Sequence, residues 1–524
     1  MPDMPVLVPV TYRPLTIGTG ILAAAARDPD KIALVDGARR YTYAALVDRM
    51  ARLADAVHAR FGLAHGDHVA IVGPNSSEYL EVLAGLSEAG LACATLSHRL
   101  NATELGDICT DACAKVLFAH ESCRAQVEQA RLPQVQHIVW FGPAYEALIA
   151  EAKPVWPSRA GEWDVFCIPY TSGTTGRPKG VLLSHRSRAL AFAAMASEYD
   201  CFGPDDSFLA IAPLAHGAGA AFALAPLFFG GTCELLPKFD PAVVVSKLGS
   251  GGFTGVFLVP TQFHAMFELD PAFLQAHRRT GLKSMISNAS ALPQAMKEKI
   301  VALWGEGILN ETYGCTEVGL STNLRPADQL RKQQCVGKPF AFTFVRLLDD
   351  DGNEVPRGEV GELFTISPYL FNGYWQDGRR VVPPTRDGWF SAGDMARQDD
   401  EGHIYIVDRK KDMIVSGGIN IYPRQIEEVL YRHPAVGEVA VVGVPDPKWG
   451  ERLKAYVVPR AGTQPTADEL IAHCTAELSA YKVPREYELI DALPRNANGK
   501  ILKRLLSAAA ARGEPWAPAG AVAS

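Results

Sequence analysis

The chain has 524 residues, a formal net charge of −7, and 48% hydrophobic against 21% charged residues. That length exceeds one hydrophobic core, so a large domain and at least one further unit are expected. The acidic balance argues against nucleic acid as a partner, because binding phosphate backbones needs a basic surface. Ten scattered cysteines without a C-x-x-C pair argue against a zinc cage or disulfide framework and fit a reducing cytoplasm.

The N-terminal stretch MPDMPVLVPVTYRPL lacks the basic start, apolar centre and small-residue cleavage site of a secretory signal, so none is expected. From Lys31 the chain alternates strand and helix patterns. Lys31–Val35 reads as a strand closed by Asp36-Gly37. Tyr43–Phe61 places apolar residues at helical spacing, and His68–Val72 reads as the next strand. This alternation predicts α/β layers with parallel pairing. Phe208–Cys233 carries no charge apart from His216 and is long enough to span a bilayer. Its prolines, glycines and alanines instead predict a buried element that approaches a ligand closely, and no membrane span. Gly255–Val259 is a further buried strand. Between 335 and 407 helical signals fade, and Gly361–Phe364 and His403–Val407 predict a β-rich subdomain.

After Asp408-Arg409-Lys410-Lys411-Asp412 the texture changes again. Gln425–Tyr431 reads as helix, and Glu438–Val442 and Leu453–Val458 as strands. Thr466-x-x-Glu469 opens a helix running to Leu478. The predicted architecture is a large N-terminal domain of layered α/β subdomains plus a β-rich subdomain (1–408), a hinge (409–412), and a small C-terminal α+β domain (413–507). An Ala/Gly/Pro-rich tail (508–524) is expected to be disordered.

Five clusters carry chemistry. The first, Tyr170–Gly180, reads YTSGTTGRPKG. Glycines let backbone N–H groups curl into an anion-binding nest; hydroxyls add donors and Lys179 adds charge. The inventory suits a polyphosphate. The order Gly173-x-x-Gly176-x-x-Lys179-Gly180, with no Ser or Thr after the lysine, is not a P-loop. Second, Tyr313-Gly314-Cys315-Thr316-Glu317 offers a ring for stacking, a hydroxyl for a phosphate oxygen and a hard carboxylate for Mg²⁺. Third, Asp394 follows a glycine and can accept two hydrogen bonds, as a ribose diol donates. Fourth is the basic cluster with Arg409. Fifth is Pro494–Ile501, with Lys500 on a Gly-preceded turn. Taken singly, the fourth can be a solvated linker, and the fifth is more often surface charge.

In order and rough spacing, these clusters resemble the motif set of the acyl-adenylate-forming superfamily: acyl-CoA synthetases, peptide-synthetase adenylation domains and beetle luciferases. The resemblance runs from about residue 12 to 507. It implies that Thr171, Ser172, Gly173, Thr174, Thr175, Gly176 and Lys179 embrace the β- and γ-phosphates of ATP. Thr316 would contact the α-phosphate, Glu317 would hold Mg²⁺, and Tyr313 would pack on adenine. Asp394 would bind the ribose hydroxyls with Arg409 assisting, and Lys500 would bridge the substrate carboxylate and the α-phosphate. The small domain would rotate about Lys411 between half-reactions, bringing Gly417 and Gly418 to line a thiol tunnel.

Pro213–Gly219 resembles the motif that sets a histidine near the substrate carboxylate. This makes His216 a gate or carboxylate contact, and Gly217, Gly219, Asn288 and Gly314 candidate walls of the acyl pocket. No arginine is obvious near this stretch, which weighs against a small dicarboxylate. Two departures from the pattern stand out. Ser287-Asn288-Ala289-Ser290 replaces a glycine-rich run, and Gln425 stands where Glu is frequent.

The resemblance implies an ATP- and Mg²⁺-dependent ligase that joins a carboxylic acid to coenzyme A and releases AMP. Its acid would be a medium- or long-chain, alicyclic or aromatic monocarboxylate. Its partners would be small molecules, with no nucleic acid; a cytoplasmic location is expected and a homodimer is compatible. Alternatives are a stand-alone enzyme loading a carrier-protein thiol, a luciferase-like oxygenase, and a catalytically silent nucleotide- or acyl-binding regulator.

Overall fold

The computed structural model describes residues 12–154, 160–172, 178–495 and 501–516. The chain separates into two compact units. One runs to Val345 and includes Thr365–Phe390; the other comprises Arg346–Phe364 and the chain from Ser391 onward. Residues 346–364 and 391–408 therefore pack with the C-terminal part.

The first unit holds two nine-stranded sheets among the described residues. In one, Ile32–Asp36, Thr232–Leu235, Ser207–Ala210, Gly255–Leu258, Ser284–Ser287 and Leu309–Cys315 run parallel. Antiparallel strands flank them: Arg39–Thr42 at one side, Gly319–Leu324 and Lys338–Pro339 at the other. In the second sheet, Val165–Ser172, Ala92–Ser97, His68–Gly73, Val116–Ala119 and His137–Trp140 are parallel. Their side chains are apolar and mostly buried, as parallel sheets covered on both faces require. The helix Ser77–Glu88 is buried along its whole length, glutamates included, so its polar groups need partners. Glu81 meets Arg49 Nε at 2.8 Å, and the Glu78 carboxylate pairs with Arg39.

The apolar stretch 208–233 resolves into strand Ser207–Ala210, helix Gly217–Phe229 and strand Thr232–Leu235. Among the described residues no helix is long and apolar enough to cross a membrane. The helix Tyr43–Ala59 stops two residues short of the expected Phe61. Between Pro339 and Arg409 every regular element is a strand.

Phe344–Leu348, Val360–Ile366, Phe390–Gln398 and Ile404–Arg409, strands that lie mostly in the second unit, form a four-stranded sheet. A five-stranded sheet follows, with the long antiparallel pair Val436–Asp446 and Gly450–Pro459. Thr466 caps the helix Ala467–Glu477: Glu469 N donates to Thr466 Oγ1 at 3.3 Å and Thr466 N to Glu469 Oε2 at 2.8 Å. A last helix, Lys503–Ala511, extends past the expected tail boundary at 507. Alanine-rich composition hid it, yet Leu506 and Ala510 at helical spacing pack with Ala440, Val442 and Tyr456.

His185 opens the helix His185–Tyr199 and is fully buried. Its Nδ1 accepts from Ile17 N at 3.3 Å, and burial pushes its pKa down to about 4. The unfolded chain takes up this proton near pH 6.5, whereas the folded chain resists it until about pH 4. Stability from this group is therefore present at neutral pH and lost as pH falls below 6.5. The expected loss at pH 5 is about 2 kcal/mol relative to pH 7. Denaturant unfolding at both pH values measures it, and the His185→Gln variant is expected to lose that part of the slope.

Candidate functional site

In the first unit the site builds on a three-stranded arrangement. Strand Val165–Ser172 turns back as Pro178–Val181, pairing Tyr170 with Gly180 and Thr171 with Lys179. Thr171 and Lys179 thus face each other across the base of the expected phosphate loop, which fixes where the loop leaves and re-enters the sheet. Gly173, Thr174, Thr175 and Gly176 lie outside the described residues. Strand Tyr374–Gln376 pairs with Pro178–Val181 on the far side. Asp111, at the end of helix Ala102–Asp111, ties these strands together. Its Oδ2 accepts from Tyr170 Oη at 2.6 Å, its Oδ1 from Asp377 N at 2.7 Å, and its carbonyl from Trp375 Nε1 at 2.7 Å.

The Thr316-Glu317 turn joins antiparallel strands Leu309–Cys315 and Gly319–Leu324, with a bulge between Tyr313 and Gly314. A Cβ on Gly314 would overlap the Gly319 carbonyl oxygen, so only glycine closes this turn. Tyr313 stands half-buried on the last part of its strand. Glu317 is held from both ends: its carbonyl accepts from Phe371 N at 2.9 Å, and its Oε1 accepts from Tyr374 Oη at 3.1 Å. Among the described residues no group of three or more His, Cys, Asp or Glu is arranged to hold a metal. One fixed carboxylate fits Mg²⁺, which is usually bound by one or two carboxylates together with substrate phosphates and water.

His216 is the N-cap of helix Gly217–Phe229. Burial, and then the charges of Arg99 and His98, hold its imidazole below the usual pKa. A Cβ on Gly217 would lie 3.5 Å from Thr316 Cγ2 and 4.0 Å from Pro169 Cγ. The helix start, the Thr-Glu turn and the strand leading to the phosphate loop therefore converge. At Gly219 the space for a side chain is already taken by the Pro213 carbonyl.

Two residues that the sequence reading missed hold this loop. Asn75 is 5% exposed. Its Nδ2 donates to the carbonyls of Ile211 at 3.2 Å, Ala212 at 3.1 Å and Leu236 at 3.1 Å, while Leu214 N donates to its Oδ1 at 2.8 Å. Thr95 Oγ1 donates to Ala215 O at 2.9 Å. In sequence, Pro74-Asn75-Ser76 reads only as a turn before a helix.

Asn288 follows strand Ser284–Ser287, and its Oδ1 accepts from Ala289 N, a residue at φ 78. That oxygen is thus engaged with its own loop. The loop's far end is tied by Leu292 N donating to Glu311 Oε1 at 2.9 Å, and Glu311 pairs with Lys297, both buried.

In the second unit, Asp394 and Arg409 are register partners on antiparallel strands. Asp394 is buried, and Arg409 Nε lies 3.3 Å from its Oδ1. Next to them, Lys410 Nζ joins Glu362 at 2.9 Å and Asp350 at 2.7 Å. Lys411 sits in the short turn Lys410–Asp412. Asp408 spans that turn: its Oδ1 accepts from Arg409 N at 2.7 Å and its Oδ2 from Arg424 N at 2.8 Å. Gly417 (φ 60) and Gly418 (φ 79) form the two-residue link between Ile414–Ser416 and Ile419–Ile421, where both positions need positive φ. Lys500 lies outside the described residues.

A family model described as "AMP-binding enzyme" matches residues 21–375, and its C-terminal-domain counterpart matches residues 425–500. The chain is 37% identical over 493 residues to a feruloyl-CoA synthase of Amycolatopsis sp, covering 93% of this chain and 97% of the relative. It is 35% identical to an indoleacetate–CoA ligase of Aromatoleum aromaticum, covering 91% and 94%. The crystal structure of ATP-bound MatB from Rhodopseudomonas palustris superposes with a TM-score of 0.86 at 30% identity, over 95% of this chain and 99% of that one.

Replacing Asn75 by alanine removes the acceptor of the buried Leu214 N–H and the two amide hydrogens shared among three carbonyls. The Asn75→Ala variant is expected to lose about 2–4 kcal/mol of stability, read as a shifted denaturant midpoint.

Proposed function

The chain belongs to the AMP-binding enzyme family as an ATP-dependent acid–CoA ligase, and from that premise we propose that its acid is an aryl-bearing monocarboxylate. The observation that carries this reading is the convergence of Gly217, Thr316 and Pro169 beneath a loop locked by Asn75 and Thr95. There a carboxylate beside His216 meets the group assigned to the α-phosphate. The choice of a ring-bearing acid rests on the two relatives above, which are named for such acids.

The chemistry explains the residue types. A carboxylate must approach a phosphorus that is already surrounded by negative charge. Fixed donors and cations offset the repulsion and stabilise charge that spreads in the transition state. On this reading Thr171 and Lys179 hold the β- and γ-phosphates, with residues 172–176 between them. Thr316 contacts the α-phosphate, and Tyr313 packs on adenine. Asp394 and Arg409 take the ribose hydroxyls. Glu317 holds Mg²⁺, which offsets phosphate charge when bound. A neutral His216 contacts the carboxylate without adding a proton to it. The carboxylate oxygen bonds to the α-phosphorus as pyrophosphate leaves; the thiolate of CoA then attacks the acyl carbon and AMP leaves with that oxygen.

We place the adenylating lysine at Lys500 and the hinge at Lys411, with Gly417 and Gly418 beside the thiol's path. None of the ten cysteines is in a disulfide, which suits a cytoplasmic setting.

Products formed from ATP, Mg²⁺ and a panel of aryl, alicyclic and aliphatic acids, with and without CoA, test the substrate class by mass spectrometry. Aryl-CoA plus AMP is expected. Turnover of fatty acids alone contradicts the aryl assignment, and acyl-AMP that accumulates and ignores CoA points to a carrier-protein loader. Lys500→Ala is expected to slow adenylation at least about 100-fold, with thioester formation from supplied acyl-AMP retained. Lys411→Pro is expected to do the reverse, measured as separate half-reactions.

A further inference from the structure

Tyr374 touches two of the groups just assigned, and neither the motif pattern nor the sequence reading gives it a role. Its Oη donates to Glu317 Oε1 at 3.1 Å. The face of its ring carries the Lys179 ammonium, 5.3 Å from the centroid, within the range of a cation–π attraction.

Its own position is fixed. Tyr374 pairs with Val181, and its neighbour Trp375 with Gly180. Leu182 N donates to Gly373 O at 2.9 Å. The Phe371 ring packs edge-on against it, 4.9 Å between centroids at 67°, and Phe371 N also holds the Glu317 carbonyl.

We propose that Tyr374 is a positioning residue that couples the phosphate-binding lysine to the metal-binding carboxylate. Its hydroxyl occupies one lone pair of Glu317 Oε1 and so restricts the orientation of the carboxylate. Its ring restricts where the Lys179 ammonium rests. One rigid side chain thereby sets the spacing between the cation that meets the polyphosphate and the oxygen that meets the metal. This inference rests on the assignment of Lys179 and Glu317 above.

The two contacts separate by mutation. Tyr374→Phe keeps the ring over Lys179 and removes the hydroxyl from Glu317; Tyr374→Leu removes both. The measurement is binding without turnover, on the full chain without acid or CoA. Calorimetry gives the affinity for ATP in EDTA, and electron paramagnetic resonance gives the affinity for Mn²⁺ at saturating ATP. Tyr374→Phe is expected to keep metal-free ATP affinity within about twofold while weakening Mn²⁺ about tenfold, as loss of a group orienting a metal ligand does. Tyr374→Leu is expected to weaken metal-free ATP as well, by about threefold. The Tyr374→Phe/Glu317→Gln double variant is expected to bind Mn²⁺ no more weakly than Glu317→Gln alone. Should Tyr374→Leu not fold, Lys179→Met in the Tyr374→Phe background isolates the ammonium's share.

If Glu317→Gln weakens Mn²⁺ binding and Tyr374→Phe does not, the coupling is wrong and the metal assignment stands. If Glu317→Gln leaves Mn²⁺ binding unchanged, the metal assignment fails and the coupling fails with it.

Discussion

The turn from Gly314 to Gly319 is the constraint on which the rest of the first unit depends. Two antiparallel strands come so close that a Cβ on Gly314 would overlap the Gly319 carbonyl. The chain can therefore reverse tightly enough to set Thr316 against the start of helix Gly217–Phe229, and Glu317 against Tyr374. A bulkier residue would widen the turn, and every distance measured from Thr316 and Glu317 would change with it. Backbone closeness comes first here, and the chemistry of the side chains is built upon it.

The groups around the turn share one address in the fold. His216 follows strand Ser207–Ala210, Asn288 follows Ser284–Ser287, and Thr316 follows Leu309–Cys315; in the other sheet Asn75 follows His68–Gly73 and Thr171 ends Val165–Ser172. All stand at or beyond the carboxyl ends of parallel strands, where open α/β sheets bind their ligands. The strand interiors are apolar and packed, and the loops at their ends carry the polar groups. Asn75 shows how such a loop is kept rigid: a single carboxamide accepts from Leu214 N and shares its two amide hydrogens among the carbonyls of Ile211, Ala212 and Leu236. A buried backbone without such partners would cost about 1–3 kcal/mol per group.

The sequence made much of this legible, for identifiable reasons. Strands such as His68–Gly73 and Gly255–Leu258 are short apolar runs bounded by turn residues, and Thr466 with Glu469 is a local cap; these signals lie within a few residues of each other. The stretches Tyr170–Gly180 and Tyr313–Glu317 stand out in the sequence because they are composition-dense. Long-range partners were not. Tyr374 is 57 residues from Glu317 and far from Lys179 in sequence, and Asn75 is 139 residues from Leu214. The helix Lys503–Ala511 was hidden by alanines whose burial depends on strand Val436–Asp446. Gly219, Gly417 and Gly418 read as ligand-facing positions. The structure adds a backbone reason for each: a carbonyl occupying the side-chain space at Gly219, and positive φ at the other two.

The acid is activated through its own oxygen if the assigned groups act as described. The most direct measurement uses an accepted acid labelled with ¹⁸O in both carboxylate oxygens, with mass spectrometry of the nucleotide and pyrophosphate formed with ATP and CoA. The predicted result is one ¹⁸O atom in AMP and none in pyrophosphate, because the carboxylate oxygen that bonds to the α-phosphorus leaves with AMP. Unlabelled AMP, or label in pyrophosphate or inorganic phosphate, would contradict it.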